Sequence, residues 1–427
     1  MNISDSPAAA APFAAPAPTR FPPRWFGALM IVLFALIMPV AYAGNQGEAV
    51  IVAVGGGFSL LFVFRLRAPP LGVVLIGALA IWAAISFAWS PLAGRLYTIH
   101  RYGDLEALTA PKLLLQAVLD CAFVLGALIL PPDQRAKALK LTGILLLAVM
   151  GVLMIEAAEG GQIYGFLNSF GKHPLRADLA KRDAARGCYA VVLVFWPLAL
   201  LTWNKIPVAI PGVVAACLVV SSLMLGVDAP VAALLLSLVV FGGMRVNARL
   251  GAWVCMVAVV VYFLAAPLVF LPHGHAAADI PSDMGKESWH IRVSIWRFAS
   301  ALIAHRPLLG YGLDASRAFG DAIPMHPHDA AIQLWLETGV LGALLGALFW
   351  GWLFFRIQRV GREDPVWAAM ACATAAAYLL ISAISFGVWQ EWWLGLGAIA
   401  IACCAMVLQT RREVAPETLE GGLASLR

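Results

Sequence analysis

Charge is what this sequence has least of. Only 12% of its 427 residues are Asp, Glu, Lys or Arg, against 62% that are hydrophobic. A soluble domain carries about 25% charged residues, so the two soluble domains that the length would otherwise allow are excluded. Cysteine is scarce too. The seven residues Cys121, Cys188, Cys217, Cys255, Cys372, Cys403 and Cys404 include no CxxC pair and lie almost entirely inside apolar blocks. That points to packing rather than to a disulfide or a metal site. No Walker-type glycine loop occurs, so no nucleotide site is read; no cofactor and no nucleic-acid partner is expected. The first 24 residues, with an Ala/Pro-rich run from Pro7 to Pro23, lack the basic start and apolar centre of a signal peptide. They read as a disordered cytoplasmic tail, with the first span, from Trp25, as an uncleaved anchor.

What is abundant is apolar sequence in blocks of about twenty residues, the length that crosses a bilayer core. Backbone facing lipid must satisfy its own hydrogen bonds, so such blocks form helices. The predicted fold is an all-α polytopic membrane protein of about twelve transmembrane helices. Residues 25–271 should hold spans one to nine and residues 333–409 spans ten to twelve, with a tail at 410–427. The spans 49–64 and 206–224 carry the weakest signal.

Lys and Arg set the orientation. With the N-terminus inside, the inner loops hold Arg65, Arg67, Arg135, Lys137, Lys140, Lys205, Arg245, Arg249, Arg356, Arg359 and Arg362, and the tail adds Arg411, Arg412 and Arg427. The short outer loops 44–48, 225–228 and 388–391 hold no Lys or Arg. N-in and C-in follows. Three longer outer segments, 90–112, 158–186 and 272–332, are basic, and they contain all eight histidines. Long loops cross regardless of charge. Their basic residues read either as a solvated surface or as a binding face for a lipid-linked diphosphate. Arg101, Arg182, Arg186 and Arg292 are the arginines that matter here.

The segment 272–332 carries the densest chemistry. Ile291, Ile295, Phe298 and Leu302 recur at three-to-four spacing, predicting an amphipathic helix over 288–304. Trp289 and Trp296 suit a membrane interface. Arg292 and Arg297 are five apart and face different ways, so Arg297 reads as structural. A turn-rich stretch punctuated by Pro307, Gly310 and Gly312 follows. In the next stretch, His326-Pro327-His328-Asp329, Asp329 is a predicted N-cap, which puts His328 just before a helix N-terminus. That position favours neutral imidazole, able to act as a base, with exposed amides nearby for an anion. A metal site or plain loop histidines are the other readings of His326 and His328. Glu337, near the start of a span, is either functional or paired with a loop arginine. Tyr189 and Trp196 either line a path for substrate or simply pack. The one mid-span acid, Asp120, is what a secondary transporter would need, but the other charges gather at one face.

These motifs together resemble the O-antigen ligase family and its relatives, the O-antigen polymerases and protein O-oligosaccharyltransferases. The resemblance rests on Arg292, Trp296, the PLLGYG run at 307–312, His328, and Glu337-Thr338-Gly339. It adds Trp89-Ser90, Ser385 and Trp392-Trp393, and covers the chain from about residue 70 onward. It implies a GT-C-like fold in the bacterial inner membrane with a periplasmic active site. The implied donor is a glycan on undecaprenyl diphosphate and the implied acceptor, for a ligase, is a sugar of the lipid A core. It further implies that Arg186 and Arg292 hold the diphosphate, that His328 serves the acceptor hydroxyl, and that the displacement is inverting and metal-independent. His326, Glu337, Arg101 and Arg182 are supporting candidates. Two departures stand out. Asp329 follows the motif histidine where relatives often have Asn. Val227-Asp228-Ala229 stands where many have Ser-Arg-Gly, which leans away from a polymerase.

Overall fold

A computed structural model describes residues 22–44, 46–63, 70–94, 109–170, 176–202, 207–271 and 287–424. Arg101, His100, His173, His273 and His275 lie outside them. The described residues contain helices and turns and no strand. Among the described residues ten helices are long and apolar enough to cross a membrane, and two further apolar helices are shorter. The chain is an all-helical, multi-pass membrane protein.

The N-terminal half contains α1 (Arg24–Ala43), α2 (Glu48–Val63), α3 (Leu71–Ser86), α4 (Thr109–Leu128) and α5 (Pro132–Glu159). Two short helices follow, α6 (Gln162–Ser169) and α7 (Ala177–Ala184), and then α8 (Arg186–Leu201). Next come α9 (Ala209–Met224), α10 (Ala229–Val246), α11 (Ala248–Phe270) and the amphipathic α12 (Glu287–His305). The chain closes with α13 (Ala330–Val360), α14 (Pro365–Ile384) and α15 (Glu391–Ala424). The two shorter apolar helices are α2 and α9, the elements of weakest signal in the sequence.

Local sequence explains several boundaries. Asn247 caps α11 by accepting from the Leu250 amide at 3.0 Å. Asp364 caps α14 by accepting from the Trp367 amide at 2.9 Å, with Pro365 at the first position, where its missing N–H costs nothing. α15 runs to Ala424, well past the predicted span end at 409. Charge pairing favours the extra turns: Arg411 bonds Asp364 and Arg412 bonds Glu363, while Glu413 pairs with Arg135.

Burial ranks the helices. The apolar window containing α8 is 83% buried, against 22% for α11, so α8 is central and α11 faces lipid. α14 and α15 pack against α8, and α11 packs along α13. Above α5, the buried Glu156 carboxylate accepts from the Tyr42 hydroxyl and from the Ile163 and Tyr164 amides. Those bonds satisfy the open N-terminus of α6 and seat the α6–α7 segment over the bundle.

Candidate active site

The site begins with a break in α13. Gly339 has φ 66° and ψ −164°, outside the helical region. A break in a spanning helix frees backbone groups that hydrocarbon cannot satisfy. Here the 307–312 run satisfies them. The Tyr311 amide donates to the Leu336 carbonyl, the Gly312 amide to the Glu337 carbonyl, and the Val340 amide to the Pro307 carbonyl, each at 2.8 Å. The Trp82 indole donates to the Thr338 carbonyl at 2.9 Å. Gly310 and Gly339 make the contact possible. A Cβ on Gly339 would stand 2.1 Å from the Leu308 carbonyl oxygen, and one on Gly310 2.8 Å from the backbone of residues 336–339. The PLLGYG and Glu337-Thr338-Gly339 motifs are therefore one structural unit.

Glu337 organises the next layer. It is fully buried and accepts four hydrogen bonds. The donors are the Asp314 amide at 3.0 Å, the Ser316 hydroxyl at 2.6 Å, the Gln333 amide group at 3.2 Å and the Trp389 indole at 2.6 Å. No arginine is bonded to it among the described residues. Four donors on two oxygens fit an ionised carboxylate, whose charge-assisted bonds are the stronger kind. Glu337 thus ties the 314–316 turn and the turn before α15 to α13. Gln333, one turn earlier, accepts from the Val388 amide at 2.9 Å.

The histidine loop is fixed at every residue. Asp329 caps α13 as predicted, accepting from the Ile332 amide at 2.8 Å and from the Tyr262 hydroxyl at 3.0 Å. The Trp296 indole donates to the Pro327 carbonyl at 2.7 Å. Trp296 is buried, so it anchors this loop rather than facing the interface expected from sequence. The His328 amide donates to His326 Nδ1 at 3.1 Å. On the other side of the ring, His326 Nε2 lies 3.2 Å from the Gln390 side-chain nitrogen. His328 itself has φ 57°, a left-handed conformation that costs a non-glycine residue about 1–2 kcal/mol. Its Nδ1 lies 2.7 Å from the Ser385 carbonyl oxygen. A carbonyl only accepts, so Nδ1 carries the proton and Nε2 keeps a free lone pair.

Electrostatics keep both rings neutral. Burial lowers the His328 pKa, with further lowering by Arg292 and Arg182, against the opposing pull of the Ser385 carbonyl. Burial pushes the His326 pKa down to about 3, helped by His328, Arg317 and Arg292. Arg292 and Arg182 are also the cations that act on Tyr189, as does Ser385. Arg292, Arg182, His328, Tyr189 and Ser385 therefore form one locus, assembled from α12, α7, α8 and the turns flanking α13 and α15. Arg292 is half-buried, with its guanidinium 5.2 Å from the Trp289 ring centre. Arg297 is not among the groups that act on the histidines.

Arg186 is placed differently from Arg292. It pairs with Asp183 at 2.9 Å and stands 6.0 Å from the Trp392 ring centre. The turn carrying Trp392 is held by Phe386, whose ring packs at 4.8 Å from Tyr189 and 4.6 Å from Trp392. Trp196 only packs, with its indole on Ser237 and its ring stacked on Phe241. Among the described residues no three His, Cys, Asp or Glu side chains converge as a metal-ligand set. The roles of Gln333, Gln390 and Tyr262 were not read from sequence. Gln333 had a usable signal, since it precedes Glu337 by four residues on the same helix face. The other two had none.

Comparison with known proteins adds a partial similarity. Residues 213–347 match the family model described as O-antigen ligase. A candidate polysaccharide ligase of Rickettsia conorii is 31% identical over 121 residues, which is 25% of this chain and 29% of that protein. One of Rickettsia prowazekii is 33% identical over 118 residues, 24% of this chain and 28% of that protein. The match thus spans less than a third of the length of these curated relatives. No solved structure matches. Over the matched stretch the chain is similar to the O-antigen ligase family. That stretch contains Arg292, His326, His328, Glu337 and Gly339, while Arg182 and Arg186 precede it.

Proposed function

We propose that this chain is an O-antigen ligase. It would transfer a glycan from undecaprenyl diphosphate to a sugar hydroxyl of the lipid A core at the periplasmic face of the inner membrane. The observation that carries the reading is His328, a neutral imidazole with Nδ1 committed to the Ser385 carbonyl and arginines 182 and 292 close by. In the reaction His328 Nε2 takes the proton of the acceptor hydroxyl as its oxygen attacks the anomeric carbon. The bond from that carbon to the diphosphate oxygen breaks from the opposite side, which inverts the centre. The leaving diphosphate takes the electron pair, and its growing charge is met by Arg292 and Arg182, with Arg186 one turn further along. Holding donor and acceptor at one membrane face supplies the orientation. Glu337, Gln333 and His326 position the base without touching substrate.

A deletion strain tests the reading. A ligase deletion leaves the core without long-chain glycan while lipid-linked glycan accumulates, both visible on lipopolysaccharide gels and in lipid extracts. A core that keeps a single repeat would instead mark a polymerase, and unchanged lipopolysaccharide with altered glycoproteins a protein oligosaccharyltransferase.

A further inference from the structure

Beneath Trp389 a cavity of about 660 Å³ opens between α3, α4, α13, α14 and α15. Leu113 and Leu128 of α4 both line it. At 1.5 Å rise per residue they are ~22 Å apart along the helix, most of a ~30 Å hydrocarbon core. The cavity is thus a long apolar slot, shaped for a hydrocarbon chain along the bilayer normal rather than for a compact solute. Two lining residues can carry charge, Asp120 and Arg356. Asp120 sits part-way along α4 and is held by the Gln116 amide at 3.2 and 3.3 Å. Arg356 stands at the end away from Trp389, its guanidinium 6.0 Å from the Trp352 ring centre. Its Nε is buried without a hydrogen-bond partner, and no ion pair holds it among the described residues. An arginine at the end of an apolar slot and at membrane depth calls for an anion that itself carries a hydrocarbon chain.

We propose that this slot binds an anionic phospholipid of the leaflet opposite His328, with an acyl chain along α4 and the headgroup phosphate on Arg356. The headgroup end at Arg356 lies away from the glycan-transfer locus, while the other end of the slot reaches Trp389, which bonds Glu337; the inference stands whether or not the transfer reading holds. Trp352, Trp367, Trp389 and Trp393 line the slot and serve as reporters. The test uses the full chain in phosphatidylcholine nanodiscs, titrated with phosphatidylglycerol carrying brominated acyl chains, which quench tryptophan on contact. Saturable quenching at low mole fraction is expected, and it should weaken on raising the salt. R356Q should raise the half-saturating fraction about fivefold, the worth of one basic residue at a lipid surface. R359Q, on the next turn, should leave it unchanged. Equal quenching by brominated phosphatidylcholine would overturn the proposal, as would an unchanged midpoint in R356Q that still melts like the parent. If R356Q does not fold, the comparison of the two lipids on the unaltered chain decides by itself.

Discussion

The His328 ring is committed at one nitrogen and available at the other, and its pKa is lowered chiefly by burial. The proposed base is the neutral form, so activity should be lost as pH falls through the folded-state pKa. That pKa lies below the ordinary histidine value of about 6.5. Transfer by the purified protein is therefore expected to stay flat from neutral to mildly alkaline pH and to decline only on the acid side. His328→Ala should lower turnover about 10²–10⁴-fold, while a filter assay finds donor binding retained because the arginines remain. Near-normal turnover would remove His328 as the base. The two arginines of α12 make a paired prediction. Arg292→Ala should abolish transfer and weaken donor binding, and Arg292→Lys should restore it only in part because lysine lacks the planar fork. Arg297→Ala should be the milder change, since only Arg292 is among the groups acting on His328. Equal losses from both alanine variants would contradict that division.

At the scale of elements, α13 is a helix broken at Gly339 and repaired by the 307–312 run. Before folding these are two unrelated short motifs, and their spacing along the chain carries no hint that one closes the other. The conformation at Gly339 suits glycine alone, and an added Cβ meets the Leu308 carbonyl. Gly339→Ala should cost about 3 kcal/mol or more, read as a lower melting temperature in detergent and a poor yield of folded protein. Gly151→Ala is the matched control. It lies in the helical interior of α5 with open space where its Cβ would go, and should be neutral or slightly stabilising. Equal melting temperatures for the two variants would mean that the break tolerates a side chain.

At the scale of the molecule, most charged side chains among the described residues sort to two ends, with Asp120 part-way along α4. Arg135, Asp364, Arg411 and Arg412 interlock at one end, and the locus of Arg182, Arg292 and His328 occupies the other. The positive-inside rule reads the first end as cytoplasmic. A reporter active only in the periplasm should therefore work when fused after Ala315 and fail after Gly361. The reverse result would invert the molecule and move the proposed transfer to the wrong side for its donor.

The sequence by itself determined the membrane class, the apolar helices and the cap at Asp329, because these depend on local hydrophobicity, length and the side chain next to a helix end. It also named His328 as a candidate from its place before a helix start and Glu337 from the cost of an acid near a span, while Arg292 came with the family resemblance. Only the tertiary structure decided which of those residues meet. Arg182 and Arg292 come from helices more than a hundred residues apart in the chain, yet both act on His328. The ring nitrogen left free there is chosen by a carbonyl at Ser385, far along the sequence. Likewise Glu337 is held by an indole, a hydroxyl and amides rather than by an arginine. Hydrogen-bond partners of that kind are set by how helices pack, and packing between distant segments leaves no periodic trace in any one of them.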